Sequence, residues 1–178
     1  MANAIIMGKK SSYDFATIFS AYLETNNQVS NGHFTSTSNL VTNQSTIAVS
    51  DGSLLITASV TDTIIGFYQP RTAVTSSHKI YTAIKYYTTS ATSLIFGCGS
   101  NIITITPVLN SWGYAGKSVM ENIGNNNDAV YFGLVTGQTA RAKAYYRIDM
   151  TALGITSYTD AQMLELVKQA QTYWETVH

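Results

Sequence analysis

Charged side chains are scarce in this sequence. Ten basic and ten acidic residues among 178 make 11% of the chain, against about 25% in an ordinary soluble protein. The two signs cancel, so no cationic stripe is available to neutralise phosphates, and no nucleic-acid partner is expected. Cysteine occurs once, at Cys98, which excludes an internal disulfide. Proline occurs only at Pro70 and Pro107. Long apolar runs are missing too: Ile102–Ile105 is interrupted by Thr104, and no membrane span is read anywhere. The opening residues Met1-Ala2-Asn3-Ala4-Ile5-Ile6-Met7 lack the charged and apolar regions of a secretory leader, so the chain is expected to be made and folded in a cytosol.

What fills the space is Thr, Ser and Asn, 24, 18 and 12 residues, set among a 45% apolar content. That apolar share is enough to bury a core, and the length suits one domain with an appended segment. Low charge with abundant Thr, Asn, Tyr and Gly is also a surface style of robust extracellular β proteins.

The order along the chain is helix, long β region, helix. Ser11 and Ser12 are N-cap residues for a segment whose Phe15, Ile18, Phe19, Tyr22 and Leu23 share one helical face. A helix this short must dock on something, either its own domain, sister copies or another protein. Residues 1–31 are therefore read as a helical attachment or oligomerisation segment. From Thr46 to Met150 the apolar period becomes two, and the fold class is mainly β, a two-layer antiparallel β-sandwich over residues 32–156. The clearest hairpin turns at Asp51-Gly52, setting Ser50 opposite Ser53, Val49 opposite Leu54 and Ile47 opposite Ile56. Further strands are expected at Thr63–Tyr68, Lys79–Thr88, Thr92–Phe96, Asn101–Thr106, Val119–Ile123, Val130–Val135 and Ala140–Met150. Thr159-Asp160-Ala161-Gln162 is a capping box that opens a helix within 157–178, expected to pack on the sandwich through Met163, Leu164, Val167, Ala170 and Trp174.

No motif points to an enzyme. A Gly-x-Ser-x-Gly elbow, a His-Glu-x-x-His helix and a phosphate loop are all absent. Gly97-Cys98-Gly99-Ser100 lies between two strands with no helix after it, and a Cys98/His78 pair is outweighed by a structural reading of the cysteine. Asp62, Glu121 and Asp128 sit near expected loops, where acids are usually solvated turn formers. Asn125, Asn127 and Asp128 offer oxygen ligands to calcium, but an Asn-rich turn is the better reading. No catalytic residue, cofactor or metal is expected.

Two features suggest binding instead. Strict alternation along Ala140–Met150 puts Arg141, Lys143, Tyr145, Arg147 and Asp149 on an outer face. Along Lys79–Tyr87 the outer set is Lys79, Tyr81, Ala83, Lys85 and Tyr87. Tyr interleaved with Arg or Lys can stack on sugar rings and bond their hydroxyls, against a plain solvated face as the alternative. Trp112 and Tyr114 lie in Asn110-Ser111-Trp112-Gly113-Tyr114-Ala115-Gly116, read as a Gly-flexed loop that either meets a ligand or caps the sandwich. Candidate glycan or partner contacts are thus Trp112, Tyr114, Tyr145, Arg147 and Tyr87.

The stretch Tyr145-Tyr146-Arg147-Ile148-Asp149-Met150-Thr151-Ala152-Leu153-Gly154-Ile155, then Tyr158-Thr159-Asp160-Ala161-Gln162-Met163 and Tyr173-Trp174-Glu175, resembles a C-terminal signature of tailed-phage virion proteins. Asn43-Gln44-Ser45, the strands around Asp51-Gly52 and Ser77-His78-Lys79-Ile80-Tyr81-Thr82-Ala83 resemble upstream strands of the same family, with Ser77 where a Gly is usual. The match spans roughly residues 32–178. In that family the signature ends a jelly roll similar to carbohydrate-binding modules, in tail, baseplate or fibre proteins. The resemblance implies a non-enzymatic virion surface component, at the tail or, alternatively, as a capsid decoration or head-fibre protein without sugar binding. Its implied partners are other virion proteins and a host surface glycan. A homo-oligomer, a trimer by preference, is expected through Phe15, Ile18, Phe19, Tyr22 and Leu23.

Overall fold

Two five-stranded antiparallel sheets lie face to face in a computed structural model that describes residues 12–29, 31–70, 77–98, 101–121 and 127–178, with side chains at all of these except 12–17 and 98. The elements in order are α1 (Ser12–Thr25), β1 (Val41–Asn43), β2 (Ser45–Ser50), β3 (Ser53–Ala58), β4 (Asp62–Pro70), β5 (Lys79–Thr88), β6 (Leu94–Cys98), β7 (Asn101–Ile105), β8 (Trp112–Met120), β9 (Asn127–Leu134), β10 (Thr139–Asp149) and α2 (Asp160–Val177). One sheet runs β1-β4-β9-β6-β7 and the other β2-β3-β10-β5-β8. Among the described strands, β2–β3 and β6–β7 are consecutive neighbours within one sheet, and the other consecutive strands lie in opposite sheets, which ties the layers together.

The β2–β3 ladder has the register read from sequence: Ser50 pairs Ser53, Val49 pairs Leu54 and Ile47 pairs Ile56. Asp51 and Gly52 both have positive φ, 52° and 64°, which is the backbone of a type I′ turn. The α2 capping box is present in full: Thr159 accepts from the Gln162 N–H, and the Gln162 side chain reaches back to the Thr159 N–H. Ser11 lies outside the described residues, as does the side chain of Phe15.

Two apolar clusters hold the molecule. The first fills the space between the sheets with Leu54, Ile56, Ile65, Phe67, Ile84, Tyr86, Leu94, Phe96, Val130 and Phe132. The second lies on the far side of the β2-containing sheet. There Leu23 of α1 and Met163, Val167 and Ala170 of α2 cover Tyr81, Ala83, Ala144, Tyr146, Ile148 and Met150. The segment after α1 runs on along β10 where β3 has ended: Gly32 accepts from the Tyr145 N–H, and the Gln28 N–H donates to Arg147. Asn27, Gln28 and Gly32 therefore satisfy a stretch of β10 edge that would otherwise be open.

Two expectations are corrected. Trp112 and Tyr114 are not in a loop: they begin β8, which starts seven residues before the Val119 expected from the pattern. Gly113 and Gly116, which made this stretch look flexible, are instead places where neighbouring rings pass close. A Cβ at Gly113 would stand 2.7 Å from the Tyr86 ring, and one at Gly116 would stand 2.2 Å from the Tyr81 hydroxyl. The second correction concerns β10. Its register against β5 shifts between Ala142 and Ala144, a bulge at Lys143. One extra residue reverses the alternation beyond it. Ala140, Ala142 and Tyr145 face the other sheet, while Ala144, Tyr146, Ile148 and Met150 face the helices.

Candidate functional site

The bulge decides which of the expected contacts reach solvent. Tyr145 and Arg147, read as outer residues, are buried between the sheets and carry no surface contact. Arg147 instead crosses the interior: Nη2 donates to Glu121 at 2.5 Å, Nη1 donates to Gln28, and Nε lies 3.8 Å from Asp128 of the opposite sheet. Glu121 and Asp128 are thus buried ion-pair partners rather than solvated turn acids. Asp149, also on the inner side, accepts from Ala152 N–H and sits 2.7 Å from His78 Nδ1.

The remaining expected contacts do come together. Antiparallel pairing of β5 with β8 sets Tyr87 opposite Trp112 and Lys85 opposite Tyr114. Pairing of β10 with β5 sets Arg141 opposite Tyr87 and Ala144 opposite Lys85. These side chains occupy the end of the sheet face that α1 and α2 leave uncovered. The Tyr87 and Trp112 rings lie 5.7 Å apart at 49°, and Trp112 remains 42% exposed. Lys85 Nζ sits 5.4 Å from the Tyr114 ring centre and 5.9 Å from that of Trp112; Lys143 Nζ sits 5.8 Å from Trp112. Both ammonium groups meet one oxygen of Glu175, at 2.8 and 2.9 Å.

Glu175 comes from the last turn of α2 and closes the patch on its helical side. Burial works against its charge, but hydrogen bonds from Lys85, Gln171 and Lys143 prevail and hold its carboxyl down at about 2. Burial, with the Glu175 carboxylate adding to it, pushes the Tyr114 phenol up to about 12, so this hydroxyl stays protonated. The result is an aromatic floor with fixed charges at its edge. Sequence alternation pointed to Lys85 and Lys143 as outward residues, but nothing local marked Glu175, which reaches the patch only because α2 docks on β8.

A second concave place, of about 600 Å³, lies between the ends of α1 and α2. Glu24 there takes the Tyr146 hydroxyl and His33 Nε2, and His33 and His178 both stack on Trp174, with ring centres 4.0 and 5.0 Å away. These stacks occupy the Trp174 ring, whereas Trp112 keeps 42% of its surface exposed. The outer face of the other sheet also carries Tyr68 and Tyr131, which the sequence reading did not single out; burial, with Tyr68 close by, raises the Tyr131 phenol.

No family model matches the chain, and no curated protein matches it. Solved structures do. The apo carbohydrate-binding module CBM1 of BiXyn10A is similar with a TM-score of 0.52 at 12% identity, over 69% of this chain and 98% of that one. The module CBM4 gives 0.53 at 14% identity, over 67% and 98%. The enzymatically active domain of tailspike protein 4 of bacteriophage CBA120 gives 0.46 at 19% identity, over 69% of this chain and 22% of that one. The fold is a β-sandwich similar to that of these two carbohydrate-binding modules. The chain is mainly β, an antiparallel jelly-roll sandwich with one helix at each end, as its pattern and its resemblance implied.

Proposed function

We propose that the protein is a non-catalytic glycan-binding module that binds saccharides on the Tyr87/Trp112/Tyr114 patch. The observation that carries this is the half-exposed Trp112 ring beside Tyr87, held on two rigid strands rather than a loop and bordered by Lys85, Lys143 and Glu175. Such a platform gives a pyranose an apolar surface to stack on and charged groups for its hydroxyls. The absence of catalysis belongs to the same reading: Glu121, Asp128 and Asp149 are buried against Arg147 and His78, not set across a cleft where a glycosidic bond could lie between them. The test is binding to a glycan array. Trp112→Ala lowers affinity roughly 30-fold, the ~2 kcal/mol of a central aromatic anchor. Binding that survives Trp112→Ala and disappears in Tyr131→Ala would move the ligand to the other sheet.

The setting we infer is the surface of a phage particle. Its support is the C-terminal resemblance, together with a helical face of α1 that the fold leaves outward: Ile18 is 60% and Tyr22 46% exposed. That face suits docking to sister copies or to a particle protein, whereas Leu23 is spent on the interior. Immunogold microscopy of purified particles separates the options. Label at the tail end supports adhesion, label over the head supports a capsid decoration protein without a sugar ligand, and unlabelled particles reject the virion setting.

A further inference from the structure

The uncovered end of the β2-containing sheet carries more cation than anion. Lys85, Lys143 and Arg141 stand there against Glu175 and Asp51. In a chain with only ten basic residues, three on one small face is a concentration, not a background. The Asp51–Arg141 pair is weak: Asp51 is 80% exposed and 3.2 Å away, and Arg141 is held mainly by Ser50 O and Ser53 Oγ.

Lys143 follows Arg141 on the outer face and immediately precedes Ala144, the residue paired with Lys85, so two strands deliver ammonium groups to one point. Both bind the same Glu175 oxygen, and each ammonium has three donors, of which Glu175 takes one. The pair therefore already shows how it holds one carboxylate oxygen, with donors to spare toward the Trp112 ring. A neutral sugar would leave those donors to water. A sugar bearing a carboxylate on its ring would meet them while its apolar face lay on Trp112.

We propose that the patch selects acidic glycans, with a sugar carboxylate received by Lys85 and Lys143 and its ring stacked on Trp112. This rests on the glycan-binding reading above and names the class of ligand for that site. Lys143 acts as the specificity residue, Lys85 being the more buried of the two and engaged with Tyr114 as well.

The experiment is an array of uronic-acid, sialic-acid and neutral glycans, each acidic glycan printed also as its methyl ester, probed with the full chain, Lys143→Gln and Trp112→Ala. The expected result is signal on the acidic glycans that falls about tenfold on esterification and about tenfold in Lys143→Gln, the loss of one charge-assisted hydrogen bond. Signal on acidic glycans also declines as salt is raised. Equal signal on acid and ester, abolished by Trp112→Ala but unmoved by Lys143→Gln, overturns the acid preference while the binding site stands. Signal indifferent to Trp112→Ala, or no glycan retained at all, overturns both. Circular dichroism spectra and thermal unfolding of each variant identify a misfolded one, and for Lys143 the Lys143→Arg variant, which keeps the charge, retains the preference if the role is electrostatic.

Discussion

Arg147 shows how a single side chain can be read correctly for its chemistry and wrongly for its place. Its guanidinium is buried with Glu121 and Asp128, and it joins the two sheets across the core. Removing one partner of a buried ion cluster leaves charge without compensation, so Arg147→Leu should destabilise the protein by about 3–5 kcal/mol in urea unfolding. Adding Glu121→Gln and Asp128→Asn should recover part of that loss, because the stranded charges go with them. At the surface, Glu175 gives a pH prediction. Its carboxyl is held at about 2 in the folded state against an ordinary 4.5, a depressed value, so its stabilising pairing is complete above pH 4.5 and is lost as pH falls toward 2. Trp112 fluorescence, reporting on the nearby ammonium groups, should change as pH falls through about 2 in the native protein and stay flat in Glu175→Gln. Neither residue announces its neighbours in sequence, since both act across long separations.

Among the elements, legibility follows locality. The β2–β3 hairpin was readable because Asp51-Gly52 and the alternation on both sides specify one register together. Helix α2 was readable because its N-terminal box lies within four residues, and Thr159→Ala should cost about 1 kcal/mol in thermal unfolding by removing that cap. The stretch from Asp149 to Thr159 has a structural part to play: Asp149 caps the Ala152 N–H, Thr151 Oγ1 takes the Lys79 N–H, and Lys79 Nζ reaches Thr156 O. The His78-Lys79 strand and the Asp149–Thr159 turn touch each other and seat α2. Strand β10 was misread beyond residue 142 because Ala-Arg-Ala-Lys-Ala alternates with or without a bulge; the Tyr145-Tyr146 pair, two large residues with opposite destinations, is the one local hint. Glycines at 113 and 116 hid the start of β8, since clearance for Tyr86 and Tyr81 looks in sequence like flexibility. The contacts that survived, Tyr87, Trp112 and Tyr114, were those whose orientation did not depend on the bulge.

Over the whole molecule, the two helices divide one sheet face into a covered half and an open half, and the candidate site is the open half. On the opposite side of α1, Ile18 and Tyr22 stay outward, and self-association through them is the expected outcome. Analytical ultracentrifugation should find an oligomer that Ile18→Ser with Tyr22→Ser converts to monomer; a wild-type monomer over a wide concentration range would count against it. The meeting of α1 with α2 also sets a schedule for biosynthesis. At synthesis rates of roughly 5–20 residues per second, Leu23 leaves the ribosome seconds before Met163, Val167 and Ala170, which share its cluster. Until they emerge, the apolar side of α1 and the Tyr81, Tyr146 and Ile148 surface have no cover. A chain truncated shortly before residue 160 would keep all ten strands but leave this apolar face of the sandwich bare.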